Sequence, residues 1–304
     1  MITKRTYRQL IWIDLESPTQ EEIRDIANAY GLHPLVVHEL SAPTLKPKVD
    51  LYENFIYLIL HFPKIRRKNR GGGDEEVDFI VGRKFIITVR YTTSEALHVF
   101  AKMFEANAVL NKGSFGPHAG YIFFHLVSKL YESLLHELAA VNEALRGIEN
   151  RIFRGEEKEM VRALSGVSRD LLDFKRSLSL HRDVLESFEM AGRKLLGDDF
   201  GFHLRTLIGD YYRVDNVLES NVAFLAELRE TNNSLVSTKQ NEIMKTLTIL
   251  AFIALPATTV LSLFQIESAS RPIVGTRFDF WILVLLLIAI ALSLYSWFKH
   301  KKWL

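Results

Sequence analysis

Residues 246–266 read TLTILAFIALPATTVLSLFQI, and residues 280–298 read FWILVLLLIAIALSLYSWF. Neither stretch holds a charged side chain. At 1.5 Å per residue, helices over these stretches would be about 31 and about 28 Å long, close to a hydrocarbon core of roughly 30 Å. Uncharged runs of this length predict two membrane-spanning helices joined as a hairpin; a pair of buried core helices is the alternative reading. Lys239 and Lys245 precede the first run, and Lys299, Lys301 and Lys302 follow the second. Positive charge marks the cytoplasmic side, so both flanks, and with them both termini, are expected in the cytoplasm. The connecting loop, residues 267–279, is then outside. It carries Glu267, Asp279, Arg271 and Arg277, for no net charge. Trp281, Trp297 and Trp303 stand near the ends of the runs, where aromatic belts form. The opening MITKRTYRQL has no apolar core region and is not expected to be a signal peptide.

The whole-chain averages conceal this hairpin. Among 304 residues, 48% are hydrophobic and 24% charged, close to an ordinary soluble protein. That apolar content excludes a disordered chain. With 38 Lys+Arg against 36 Asp+Glu, a basic nucleic-acid binder is excluded as well. The absence of cysteine removes disulfides, thiolate metal sites and a cysteine nucleophile. Residues 246–304 hold five basic and two acidic side chains (+3), leaving 33 basic and 34 acidic (−1) in residues 1–245. The large soluble part is therefore close to neutral.

Residues 1–116 read as an α/β domain. Residues 9–15 form a short strand rich in β-branched and aromatic side chains. Ser17, Pro18 and Gln20 have the spacing of a capping box, with Ser17 as the cap of a helix that runs to Tyr30 and stops at Gly31. His33-Pro34 opens a second helix, through Glu39. Residues 55–60 form an apolar strand, and residues 77–81 and 85–89 form two more around a Gly82-Arg83 hairpin signal. Between them, residues 64–76 contain RRKNRGGGDEE, read as a solvated loop because the spacing of a phosphate-binding P-loop is absent.

Residues 117–245 have a different texture. No proline occurs between Pro117 and Pro256, which favours long helices because interior proline costs about 3 kcal/mol. Breaks at Gly155 and between Gly192 and Gly201 predict helices over 119–153, 157–195 and 201–264. In the last, a heptad register falls on Leu204, Leu207, Tyr211, Val214, Leu218, Asn221, Leu225, Leu228, Asn232 and Leu235. This seam predicts a coiled-coil-like stalk, in which Asn221 and Asn232 either set register or face water. One helix of about 65 residues then runs into the first membrane span.

No catalytic constellation emerges. His136-Glu137 lacks the second histidine of a zincin, and no nucleophile elbow, Walker loop or dinucleotide fingerprint occurs. His33, His38, His61, His118, His125 and His136 are scattered. An enzyme is therefore not expected.

The sum is an α+β membrane protein: an N-terminal α/β cytosolic domain, a long helical bundle with a coiled-coil-like stalk, and a C-terminal transmembrane hairpin over 246–304. This architecture resembles the CorA family. The segments that carry the resemblance are Trp12-Ile13-Asp14, Gly31-Leu32-His33-Pro34-Leu35, Lys46-Pro47-Lys48-Val49 with Tyr52-Glu53-Asn54, Asn241-Glu242-Ile243-Met244-Lys245, Leu247-Thr248-Ile249, Pro256 and the closing Lys-Lys-Trp-Leu. The resemblance implies a homopentameric inner-membrane channel for divalent cations, chiefly magnesium, in a lipid bilayer. It implies no cofactor beyond a transported or regulatory divalent cation, and no nucleic-acid partner.

By position, the resemblance places Asn241, Met244, Leu247, Ala251, Leu255, Thr258 and Ser262 along the pore, and steps of three and four put them on one helix face. Packing of that face against the second span is the alternative. Where the family carries Tyr-Gly-Met-Asn as its outer filter, this chain has Phe264, Gln265, Ile266 and Glu267. Five copies of Glu267 would form an acidic ring that attracts cations. Glu39 matches one carboxylate of the family's regulatory magnesium site; Thr206 stands opposite it, with Asp210 as the nearest carboxylate. The altered filter leaves two other readings: a non-conducting scaffold or regulator, and a channel of different selectivity, anions included.

Overall fold

The computed structural model describes residues 2–44, 46–64, 73–110, 115–265 and 277–301. The chain divides into two compact units, Met1–Arg229 and Glu230–Leu304.

The first unit is built on a six-stranded sheet: β1 (Ile2–Tyr7), β2 (Leu10–Glu16), β3 (Lys48–Leu51), β4 (Phe55–Lys64), β5 (Gly73–Gly82) and β6 (Phe85–Arg90). The order is β1-β2-β6-β5-β4-β3; β2 and β6 run parallel, and the other neighbours antiparallel. Both faces are covered, so the central strands are largely apolar, with Asp14, Asp78, Thr88 and Arg90 among the buried polar exceptions. On one face α1 (Gln20–Tyr30) and α2 (Pro34–Glu39) bury Ile23, Ala27 and Val36 against Ile13, Tyr57, Ile59, Ile80 and Ile87. On the other lie α3 (Glu95–Leu110), α4 (Gly120–Phe153), α5 (Glu157–Leu178) and α6 (His181–Leu196). Aromatic edges hold this side: Trp12 meets Phe100 at 5.2 Å, and Phe123 meets both Phe79 and Phe188.

Several expectations need correction. The cap of α1 is Thr19, not Ser17. Thr19 Oγ1 accepts from the Glu22 N–H at 3.2 Å, and the Glu22 carboxylate accepts from the Thr19 N–H at 2.9 Å. Ser17 sits at φ 44° and donates its hydroxyl to the Tyr91 carbonyl, finishing the β2–β6 pairing. The helix does end at Gly31, whose left-handed φ of 62° suits glycine. Asp74, Glu75 and Glu76 belong to β5 rather than to a solvated loop, and Glu75 and Glu76 are buried; residues 65–72 lie outside the described residues. The helix expected over 157–195 is two helices, broken at Ser179-Leu180. The break seats His181 in the core, where Nε2 lies 2.8 Å from the His61 carbonyl and Nδ1 2.8 Å from the Tyr131 hydroxyl. The strands β1 and β3 and the helix α3 were not foreseen.

After a short 3-10 turn (Asp198–Phe200), α7 runs Gly201–Gln265, the 65-residue helix expected. Within the first unit its heptad seam is buried from Leu204 to Leu228, Asn221 included. The partner of that seam is α4 of the same chain: Asn221 donates to the Leu138 carbonyl and accepts from Asn142, both at 2.9 Å.

The second unit comprises the rest of α7 and α8 (Asp279–His300). The two helices meet where Phe252 packs edge-on against Phe298, at 6.2 Å, beside the buried Ile249. Among the described residues these are the two helices long and apolar enough to cross a membrane, with mean hydropathy of 2.0 and 2.3 over their most apolar windows.

Candidate ion pathway

The proposed pore face lies on α7. Asn241, Met244, Leu247, Ala251, Leu255, Thr258 and Ser262 are all exposed in the single chain. Met244, Leu247 and Leu255 show 60%, 58% and 65% of their surface. The sheltered face is different: Ile249 is buried, and Ile253, Ala257 and Val260 are half-buried. At 100° per residue the two sets are centred about 180° apart. The reading that the pore face packs against α8 of its own chain is therefore not what the structure contains. Ile243, Leu250, Phe252, Leu261 and Leu263 are exposed as well, so most of the circumference of this segment is open in one chain.

The hydroxyls on this face are already committed as donors. Thr258 Oγ1 donates to the Leu255 carbonyl and Ser262 Oγ to the Thr258 carbonyl, each at 2.9 Å. Each hydroxyl oxygen keeps its lone pairs for another partner. Three to four turns below Thr258, Leu247 and Met244 are apolar, and beyond them Asn241 offers a carboxamide. Pro256 lies inside α7 and has no N–H, so the Phe252 carbonyl loses its ladder partner. The face therefore runs from a carboxamide, through apolar side chains, to hydroxyl oxygens.

The segment expected to form the outer filter is only partly described. Phe264 and Gln265 end α7. Ile266, Glu267 and Arg271 lie outside the described residues, as do Lys302 and Trp303; Arg277 is exposed.

Glu39 ends α2 with its carboxylate 2.7 Å from Lys48 Nζ, which also holds Asp50 at 2.7 Å. Burial works against the Lys48 charge, but hydrogen bonds to Asp50 and Glu39 outweigh it and raise its pKa. Asp210 accepts from Ser128 Oγ at 2.9 Å and faces Arg213 at 3.6 Å. Thr206 returns its hydroxyl to the Phe202 carbonyl. Within one chain Glu39 and Asp210 thus have separate partners. Among the described residues no cluster of three or more His, Asp or Glu could hold a metal.

A buried polar cluster under α2 had escaped the sequence reading. Glu76 accepts from the Thr44 N–H at 2.6 Å and lies 3.2 Å from His61 Nε2. Two residues on, Asp78 accepts from the hydroxyls of Tyr57 and Tyr91, at 3.3 and 3.4 Å. Burial and the neighbouring Glu76 push the Asp78 carboxyl well above its ordinary value. Burial lowers the His61 pKa, yet the hydrogen bond to Glu76 turns the net shift upward. The alternation Glu76, Asp78, Ile80 was visible in the sequence; that a helix covers it was not.

A family model described as CorA-like Mg2+ transporter protein matches residues 7–300. The chain belongs to this family. CorA-like proteins are transporters rather than enzymes, and the two apolar helices fit a membrane protein of that kind. The chain is 21% identical over 295 residues to the cobalt/magnesium transport protein CorA of Thermotoga maritima, covering 96% of this chain and 83% of that one. It is 22% identical over 303 residues to the zinc transport protein ZntB of Yersinia enterocolitica, covering 98% and 89%. Its fold matches the complete structure of the CorA magnesium transporter from Methanocaldococcus jannaschii with a TM-score of 0.85, at 19% identity over 97% of this chain and 92% of that one.

Proposed function

We propose that this chain is a CorA-like channel or transporter that moves divalent cations down their electrochemical gradient, as a homopentamer in the cytoplasmic membrane with both termini inside. The observation that carries the reading is the exposed α7 face, on which Thr258 and Ser262 spend their hydrogens on backbone carbonyls. Oxygens left with lone pairs suit a cation, or the outward hydrogens of its hydration shell, and do not suit an anion. Met244, Leu247 and Leu255 supply apolar rings that gate by dewetting, and Asn241 supplies a ring of carboxamides at the inner mouth. Magnesium dehydrates reluctantly, so oxygen acceptors that hold its water shell are the appropriate chemistry.

Gln265 and Glu267 form the remodelled outer filter in this reading, with Glu267 as an acidic ring. The same departure from Gly-Met-Asn favours a second reading, selectivity for a different divalent metal; zinc and cobalt are named among the relatives. Glu39 and Asp210, from neighbouring chains, form a regulatory cation site that must displace Lys48 from Glu39.

Growth of cells lacking their own magnesium uptake tests the proposal. Expression of this chain restores growth in low magnesium, and Glu267→Gln weakens the rescue. Failure to rescue, together with no zinc or cobalt uptake by the same cells, would make the chain a non-conducting scaffold; failed rescue with zinc or cobalt uptake would favour the second reading.

A further inference from the structure

Between α7 and α8 runs a groove of about 410 Å³. Its floor is Ile249, Leu250 and Ile253; its rim is Glu242, Lys245, Thr246 and Tyr295. The walls have a consistent polarity. Lys245, Ile249 and Ile253 follow one another at steps of four on α7, so a cation tops an apolar stripe. Tyr295 and Lys299 are likewise four apart on α8, which sets Lys299 one turn beyond the Tyr295 rim. His300 and Lys301 follow Lys299 at the same end. Glu242 is the acidic group at the mouth, and the Thr246 hydroxyl is spent on the Glu242 carbonyl at 3.0 Å.

We propose that this groove binds one phospholipid with an anionic headgroup, drawn from the cytosolic leaflet. From Lys245 to Ile253 the stripe descends about 12 Å, most of the roughly 15 Å depth of one leaflet. The acyl chain lies on Ile249, Leu250 and Ile253; the headgroup phosphate meets Lys245 and Lys299, whose charges outnumber that of Glu242. A zwitterionic lipid fills the floor equally well but gains less from the two lysines, so the site selects by headgroup charge.

The inference rests on α7 and α8 crossing the bilayer, and not on which ion crosses with them. The test is native mass spectrometry of the purified full chain given equal phosphatidylglycerol and phosphatidylcholine of the same acyl composition. The wild type retains phosphatidylglycerol about five-fold or more over phosphatidylcholine. Lys245→Gln with Lys299→Gln brings the ratio near one. Ile253→Trp, which fills the floor, removes both lipids, whereas Lys158→Gln, at an exposed position of α5, changes neither. Equal retention by the wild type, or a preference that survives loss of both lysines, overturns the site. So does a wild type without lipid adducts, the result expected if a second copy of the chain fills the groove. Flux without adducts sinks this inference alone; adducts without flux sink the transport reading alone.

Discussion

Asn142 Nδ2 donates to Asn221 Oδ1 at 2.9 Å, and Asn221 in turn donates to the Leu138 carbonyl at 2.9 Å. A polar residue at a heptad position thus has its partners on α4 of its own chain. Asn221 is buried and Asn142 half-buried. Asn221→Ala leaves a cavity and unmet hydrogen bonds, and is expected to cost about 1–3 kcal/mol. Asn221→Leu costs less, because it refills the space and Asn142 can turn to water. Thermal melts of the full chain in detergent read the difference.

The proposed apolar constriction predicts a gain of flux on softening it. Leu247→Ser puts a hydroxyl where the proposed leucine ring would exclude water, and metal flux in proteoliposomes rises several-fold. Leu263→Ser, about 160° away around α7, leaves flux unchanged. Equal effects from both would show that α7 does not present the proposed face to the ions.

Acid should weaken the first unit through buried His181 and half-buried His118. Burial lowers the His181 pKa to about 4, and burial with Arg83 and His203 lowers that of His118 to about 4. The unfolded chain therefore binds protons first as pH falls from the ordinary histidine value of 6.5. The contribution of both groups is intact above that pH and is lost progressively toward pH 4. His181→Gln lowers the melting temperature at pH 8, since two buried hydrogen bonds are disturbed, but flattens the decline between pH 6.5 and 4.

Asp78 has the opposite sign. Its carboxyl is pushed up by burial and by Glu76, so the folded state holds a proton that the unfolded state releases. Stability falls as pH rises from the ordinary value of 3.8 toward the raised folded value, and stays reduced above it. Asp78→Asn keeps an oxygen for Tyr57 and Tyr91 without the charge. The melting temperature of the variant relative to wild type is expected to climb with pH above about 4.

Much of this fold was legible because its signals are local. The uncharged runs, the Gly31 stop, His33 before Pro34, and the heptads of α7 each depend on a few neighbouring residues. What escaped depends on contacts distant in sequence. Thr19 displaced Ser17 as a cap because Ser17 is held to Tyr91, 74 residues away. The α5–α6 break carries no glycine or proline; it is set by His181 reaching His61, 120 residues away. Asp74, Glu75 and Glu76 looked solvated by composition, yet strand pairing with β4 takes them into the sheet. The proposed pore face is legible as a periodicity, but only the structure separates it from the Ile249–Val260 face that meets α8.

Flux through the purified full chain tests the central claim most directly. Proteoliposomes carrying a metal-sensitive dye are challenged in turn with magnesium, cobalt, nickel and zinc. The account predicts entry of at least one of these, driven by its gradient and reduced by Asn241→Ala. Traces that match empty liposomes for all four metals would contradict it.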